Sequence, residues 1–390
     1  METLAITNIG AMISGSLETG LIDADTLLVE DGRIAEIGNG LDTSGADRVL
    51  DCVGTTVAPG LIDGHLHVVI GDYTPRQKTV DFLESWVHGG VTSGVSPSEV
   101  HAPGRPSDPV GVKALAIAAQ RCFSNFRPGG LKMHAGSVII EPGLREKDFE
   151  ELAAAGVWLA KVGFGSFERQ VDSAPIVRAA QRHGLKVLCH TGGASIPGSS
   201  AVMAEDLIEI QPDMAAHING GTTALPDEGL ERVIVETEIA LQICQCGNLR
   251  AALLTVERCV ALGRLGRINI ASDSPSGTGI LPMGVIKSIV ELSSMAPLKP
   301  EDAWALGSGT PADHWGLGDQ GKIEVGRAAD LVIMDAPLGS AAPDAVSAIA
   351  IGDIPGITGV LIDGRAWVMK SRNTPASTRF CKWVRVSTAD

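Results

Sequence analysis

Between residues 57 and 272 the chain alternates short apolar runs with helix-length amphipathic stretches, and no other feature narrows its fold so far. The runs fall near 57–63, 91–96, 131–138, 157–163, 185–190, 214–218, 239–244 and 267–272. Such alternation predicts parallel strands joined by crossover helices, because parallel neighbours cannot be linked by a tight turn and are buried on both faces. Eight units predict an α/β fold, a (β/α)8 TIM-like barrel over residues 59–319, with an open doubly wound sheet as the alternative. The two ends of the chain read differently. Residues 27–38 set apolar and polar side chains around Asp31-Gly32, and residues 357–369 do so around Asp363-Gly364, the signature of tight hairpins. Segments 1–58 and 320–390 are therefore expected to form one small β-sandwich domain from both chain ends.

Charge and composition exclude several function classes. Lys and Arg number 31 against 46 for Asp and Glu, a formal charge of -15, which repels phosphate backbones and anionic membrane surfaces. Neither nucleic acid nor membrane is an expected partner. The first basic residue is Arg33, so the start of the chain lacks the positive segment of a secretory signal, and no apolar run reaches membrane-spanning length. The expected compartment is cytoplasmic. Seven cysteines, scattered from Cys52 to Cys381 without Cys-x-x-Cys pairs, fit reduced thiols. Cys244 and Cys246 lie on one side of a candidate strand, but their spacing makes a poor zinc-thiolate site.

The chemistry-bearing side chains cluster at the ends of the candidate strands. His65 and His67 close the first run, and residues two apart in an extended strand share a face, so both imidazoles can address one ion. His190 ends Leu-Lys-Val-Leu-Cys-His, His217 follows Met-Ala-Ala, and Asp273 follows Ile-Asn-Ile-Ala-Ser. A single histidine is more often a hydrogen-bonded core residue than a ligand. Four at strand ends with one aspartate are hard to assign to packing, and barrel active sites gather at those ends. Imidazole and carboxylate suit zinc, iron or manganese, and a set without thiolate favours a catalytic site over a structural one.

The order His-x-His, a strand-four ligand, His, His, Asp is similar to that of the amidohydrolase superfamily, whose recognisable stretch is Pro-Gly-Leu-Ile-Asp-Gly-His-Leu-His, here residues 59–67. Further segments resemble the enamidase family within it: Gly71-Asp72-Tyr73 with Pro75-Arg76-Gln77-Lys78, His190-Thr191-Gly192-Gly193, Ser195-Ile196-Pro197-Gly198-Ser199-Ser200, His217-Ile218-Asn219-Gly220-Gly221, Ser276-Gly277-Thr278-Gly279 and Gly352-Asp353-Ile354-Pro355-Gly356-Ile357. The similarity spans nearly the whole chain. It implies a hydrolase that opens a small carboxylated cyclic amide by attack of a metal-bound hydroxide, and a homo-oligomer, specifically a tetramer. Two divalent transition metal ions are implied, zinc first and iron or manganese as alternatives, held by His65, His67, Lys161, His190, His217 and Asp273.

One position departs from that family, which carries a bridging glutamate where this chain offers Lys161. Many members of the superfamily use a lysine there, carboxylated by carbon dioxide. An ammonium beside two divalent cations is strongly repelled, so Lys161 is carboxylated, neutral or turned away, and carboxylation is the expectation. Asp273 is expected to move the proton between attacking water and leaving group. His134, in the third run, is expected either to donate to the oxyanion or substrate or to brace a neighbouring group. Tyr73, Arg76 and Lys78 belong to the first barrel loop, and Arg76 is expected to clamp a substrate carboxylate, with a surface ion pair as the plain alternative. Asn219, Thr222 and Gln245 occupy similar loop positions, with Asn219 expected to contact substrate. Two other readings stand beside this one. A lactonase would use the same nucleophile on an unsaturated carboxylated lactone, and a non-catalytic binding protein on a decayed barrel would be expected to have lost ligands.

Overall fold

The computed structural model describes residues 2–68, 79–97, 104–194, 200–221, 223–275 and 279–386. Expectations that concern Tyr73, Arg76, Lys78 and Thr222 lie outside these residues.

Among the described residues, nine parallel strands occupy the middle of the chain. Leu61–Asp63, Val91–Val95 and Lys132–His134 form one sheet. Ser137–Ile139, Leu159–Val162, Lys186–Cys189, Met214–Ala215, Ala240–Cys244 and Ile268–Ala271 form a second sheet in chain order. Helices such as Pro109–Ser124, Ala174–Arg182 and Leu249–Ala261 make the crossovers. The apolar run at 131–138, expected as one strand, is two. Lys132–His134 pairs with Val91–Val95, whereas Ser137–Ile139 pairs with Leu159–Val162. Between them Gly136 sits at φ 102, and a Cβ there would lie 2.7 Å from the Ala116 carbonyl oxygen, so the helix packs where only glycine fits. At the other side, Ile268–Ala271 approaches the first strand through a bridge between Leu66 and Ser274. Among the described residues the architecture is thus a mixed α/β fold with two parallel sheets, not one uninterrupted eight-stranded cylinder.

Side-chain alternation sorts these strands into two buried faces. Ala160, Val162, Val187, Cys189, Leu241 and Ile243 join the large core under the helices. Leu159, Leu188 and Ala240 point the other way, into a cluster with Ile62, Val95 and Trp315. A period of two then places Lys161, His190, Gln242 and Cys244 on this second face, with Lys161 and Cys244 toward the C-terminal ends of their strands, His190 just past the end of its own and Gln242 in mid-strand.

Strands from both chain ends build two further sheets. One runs Lys382–Arg385, Arg48–Asp51, Thr3–Thr7, Thr26–Glu30, Arg33–Gly38. The other runs Arg365–Val368, Gly356–Ile362, Leu331–Asp335, Thr56–Pro59, Ala11–Ile13, Leu21–Ile22. Leu4, Ile6, Leu50, Val57, Leu331 and Leu361 bury their side chains together between them. Both Asp-Gly turns adopt the left-handed backbone that a two-residue hairpin needs, with Asp31 at φ 46, Gly32 at 79, Asp363 at 50 and Gly364 at 69. No helix of the described residues is long and apolar enough to cross a membrane.

Candidate metal centre

The strand Leu61–Asp63 ends on a carboxylate that does not face the ligands. Asp63 is fully buried; its Oδ2 accepts from Trp86 Nε1 at 2.8 Å, and its Oδ1 accepts from the backbone N–H of Ser272 at 2.9 Å and of His65 at 3.2 Å. One oxygen therefore ties together the two segments that carry His65 and Asp273. Burial raises the Asp63 carboxyl above its ordinary value, against these donors.

Beyond that tie, His65 Nε2 lies 3.1 Å and His67 Nε2 3.0 Å from Asp273 Oδ1. The candidate ligand atoms of these three residues fall within 4.8 Å of one another. His217 stacks beside His65 with ring centroids 5.8 Å apart, and His190 meets His217 edge-on at 4.8 Å. His190 Nε2 donates to the Gly193 carbonyl at 2.8 Å, which leaves its Nδ1 lone pair 3.2 Å from His217 Nε2. His217 and Asp273 both hold a positive φ, 30° and 54°, a conformation that non-glycine residues keep where the surroundings enforce it. Lys161 is buried on the same face with Nζ 3.5 Å from His65 Nε2, and the Phe164 ring covers it at 5.9 Å. Four histidines, one lysine and one aspartate from distant parts of the chain thus lie near one another, with His65, His67 and Asp273 forming the tight group.

The electrostatics leave this cluster short of positive charge between its acceptors. Burial pushes the His190 imidazole down to about 3 and that of His217 to about 4, and drives His65 well below its ordinary range despite the Asp273 carboxylate. Burial opposes the Asp273 charge, but the facing His65 and His67 outweigh it and hold the carboxyl well below the usual carboxylate range. Burial lowers the Lys161 ammonium to about 8. The tautomer of His65 follows from its neighbour Gln242, whose amide nitrogen donates to the Gly64 carbonyl at 3.2 Å. Gln242 Oε1 must then accept from His65 Nδ1, 2.7 Å away, so the Nε2 lone pair is what faces Asp273 Oδ1. While His65 stays neutral, as its burial favours, these are two acceptors 3.1 Å apart that repel, and the contact becomes favourable only with a proton or a cation between them. Among the described residues His217 Nδ1 is also buried without a hydrogen-bond partner. The donor set fits a divalent cation, which removes the first conflict and suits imidazole nitrogen and carboxylate oxygen.

No family model matches the chain. Enamidase from Eubacterium barkeri is 48% identical over 385 residues, covering 98% of this chain and 100% of that protein. A solved structure of enamidase, described as a member of the amidohydrolase superfamily, superposes with a TM-score of 0.93 over 98% of this chain and 100% of that one. The chain belongs to the amidohydrolase superfamily. More distant relatives include adenine deaminase from Deinococcus deserti, 27% identical over 342 residues, 83% of this chain and 56% of that protein. The solved N-acetylglucosamine-6-phosphate deacetylase of Pasteurella multocida shares the fold at a TM-score of 0.63 with 14% identity, over 93% of this chain and 99% of that one.

Two further residues expected at the site have these neighbours in the structure. Asn219 is buried with its amide spent on backbone: Nδ2 donates to the Cys244 carbonyl at 2.9 Å and Oδ1 accepts from the Cys244 N–H at 3.0 Å. It braces a loop through both atoms of its amide. His134 packs edge-on against Trp158 at 5.9 Å, and the charges it feels are Arg127, Lys132 and Asp319, not the ligand cluster. Gln245 is held by Ser288 at 2.7 Å and Glu291 at 3.1 Å. Sequence reasoning missed Gln242, Asp63 and Cys246, whose thiol meets Asp273 Oδ2 at 3.1 Å. For Gln242 a signal existed: it is the one amide in the buried run Ala-Leu-Gln-Ile-Cys, in phase with Cys244.

Proposed function

We propose that the protein is a metal-dependent hydrolase that opens a small carboxylated cyclic amide, as an enamidase does. The observation that carries this reading is the convergence of His65, His67 and Asp273 within 4.8 Å in a chain 48% identical to an enamidase over 98% of its length. His65, His67, Lys161, His190, His217 and Asp273 would hold two divalent transition ions, zinc with iron or manganese as alternatives. A bound divalent ion supplies Lewis acidity that activates water and polarises the ring carbonyl. Lys161 would be carboxylated, its neutral amine adding to carbon dioxide with formation of a nitrogen–carbon bond and release of one proton, and the resulting carbamate would help to hold the ions. Its burial beside His65 and away from any carboxylate partner at ion-pair distance among the described residues favours the neutral amine that this addition needs.

Asp273 takes the proton of the attacking water at Oδ2 and returns it to the leaving nitrogen, since Oδ1 faces His65 and His67. Water adds across the carbon–nitrogen bond, which breaks to give a carboxylate and an amine. Phe164, beside His190 and Lys161, forms an apolar wall of the site. Arg76 and Tyr73 take the substrate carboxylate. We further infer a (β/α)8 barrel over 59–319, a small β-sandwich domain from 1–58 and 320–390, a homotetramer and a cytoplasmic setting.

The test compares metal-loaded protein on a carboxylated cyclic enamide and on the matching unsaturated lactone. The enamide is expected to open faster; faster lactone opening makes the protein a lactonase, and no turnover with no bound transition metal makes it a binding protein. Asp273→Asn is expected to lower turnover by roughly 10²- to 10⁴-fold with most metal retained. Unchanged turnover contradicts the role given to Asp273.

A further inference from the structure

The oxygens of Asp273 have different partners. Oδ1 faces the imidazoles of His65 and His67, and Oδ2 receives the Cys246 thiol at 3.1 Å. Left to itself a carboxylate flips about its last torsion, exchanging the two oxygens, because that torsion is broad and nearly two-fold. A donor on one oxygen removes that symmetry.

The loop that presents Cys246 is held from both sides. Asn219 grips the Cys244 carbonyl and N–H through its amide, and its own carbonyl accepts from the Asn248 N–H at 2.9 Å. Gly247, whose N–H returns to the Cys244 carbonyl at 3.0 Å, passes so close to Asn219 that a Cβ would lie 2.3 Å from Nδ2. Cys246 is therefore fixed between a strand end and a brace, buried, with Cys244 and Ala271 packed beside it. A thiol is a weak donor that keeps the carboxylate oxygen's other lone pair open to a proton, which a lysine or arginine in its place would not.

We infer that Cys246 is a positioning residue for Asp273: its S–H holds Oδ2 in place, so that one oxygen serves the cation and the other serves proton transfer. This rests on the hydrolase reading above, and the experiment separates the two. Metal-loaded wild type, Cys246→Ala and Cys246→Ser are compared on a carboxylated cyclic enamide. Losing a hydrogen bond to a charged group is worth roughly ten- to a hundredfold in kcat, so Cys246→Ala is expected to slow by that factor with about the same KM and metal content. Cys246→Ser, which keeps a donor, is expected to recover most of the loss. Wild-type kcat in Cys246→Ala, or a Cys246→Ser as slow as Cys246→Ala, overturns the assignment. A second readout needs no turnover: the infrared S–H stretch present in wild type and absent in Cys246→Ser is expected to shift to higher frequency in Asp273→Asn. An unshifted band overturns the contact itself. Wild type inactive on every cyclic amide would sink the hydrolase reading, and the infrared comparison would still decide the Cys246–Asp273 pair.

Discussion

Two lysines are buried among the parallel strands, and their surroundings could hardly differ more. Lys132 opens its strand, toward the sheets built from the chain ends. Its Nζ meets Asp330 Oδ2 at 2.8 Å and Asp363 Oδ1 at 2.6 Å, and Asp363 in turn reaches Arg127 at 3.3 Å. Each charge there has an opposite neighbour. Lys161 lies near the other end of its strand, among four imidazoles and one carboxylate, with His65 Nε2 at 3.5 Å as its hydrogen-bonding neighbour. The first cluster is closed and joins the central strands to the outer sheets. The second has lone pairs aimed at one another, which is the condition of a site that takes something in.

Removing each lysine is the sharpest way to break that comparison. Lys132→Met leaves two carboxylates together, one of them fully buried, and breaking a buried ion pair from one side costs about 3–5 kcal/mol. Denaturant unfolding of the purified protein should show that loss, with turnover per folded molecule unchanged. Lys161→Met removes a buried ammonium that has no ion-pair partner at contact distance among the described residues, so the metal-free fold should be as stable as wild type or more so, while bound metal falls. Equal destabilisation by both substitutions would show that the two clusters do the same job.

A smaller effect is expected at Gln242. Because its amide fixes the His65 tautomer, Gln242→Leu should weaken metal binding by roughly 10- to 100-fold in chelator competition, the usual range for a group that orients a ligand. Unaltered affinity would mean that His65 is oriented by packing alone.

The same contrast explains what could be read in advance. Position along a strand is periodic, so the strand ends carrying His65, His67, Lys161, His190, His217 and Asp273 were legible, as were the Asp-Gly hairpins. What happens past a strand end is set by partners distant in sequence. Nothing in the run 131–138 announces that the strand changes partner at Gly136, since the reason is the backbone of a helix packed against it. Asn219 reads as a loop amide near substrate until the Cys244 backbone is seen to occupy it. Cys246 reads as one more reduced thiol, because its meaning depends on Asp273 arriving from a different strand. His134 shares the strand-end signature of the ligands, yet it belongs with Trp158 and Lys132, nearer the closed cluster than the open one.

That placement of His134 gives the last and smallest test. Burial pushes its imidazole down to about 4, with Arg127 and Lys132 acting in the same direction. His314 is also lowered to about 4 by burial; its Nδ1 accepts from Asn269 at 3.0 Å and its Nε2 donates to the Gly266 carbonyl at 3.1 Å, so protonation would break the first bond. Unfolded histidine titrates near 6.5. Between about 6.5 and 4 the unfolded chain therefore binds more protons than the native one, and stability rises with pH through that window. The stabilisation is complete above the unfolded value and is lost as pH falls toward the folded one. Unfolding free energies of metal-free wild type and His134→Gln, measured across that window, should differ in slope by up to one proton, the variant being flatter. If the slopes coincide, His134 is wet and titrates normally, and it would be free to serve as the acid or donor that its sequence position first suggested.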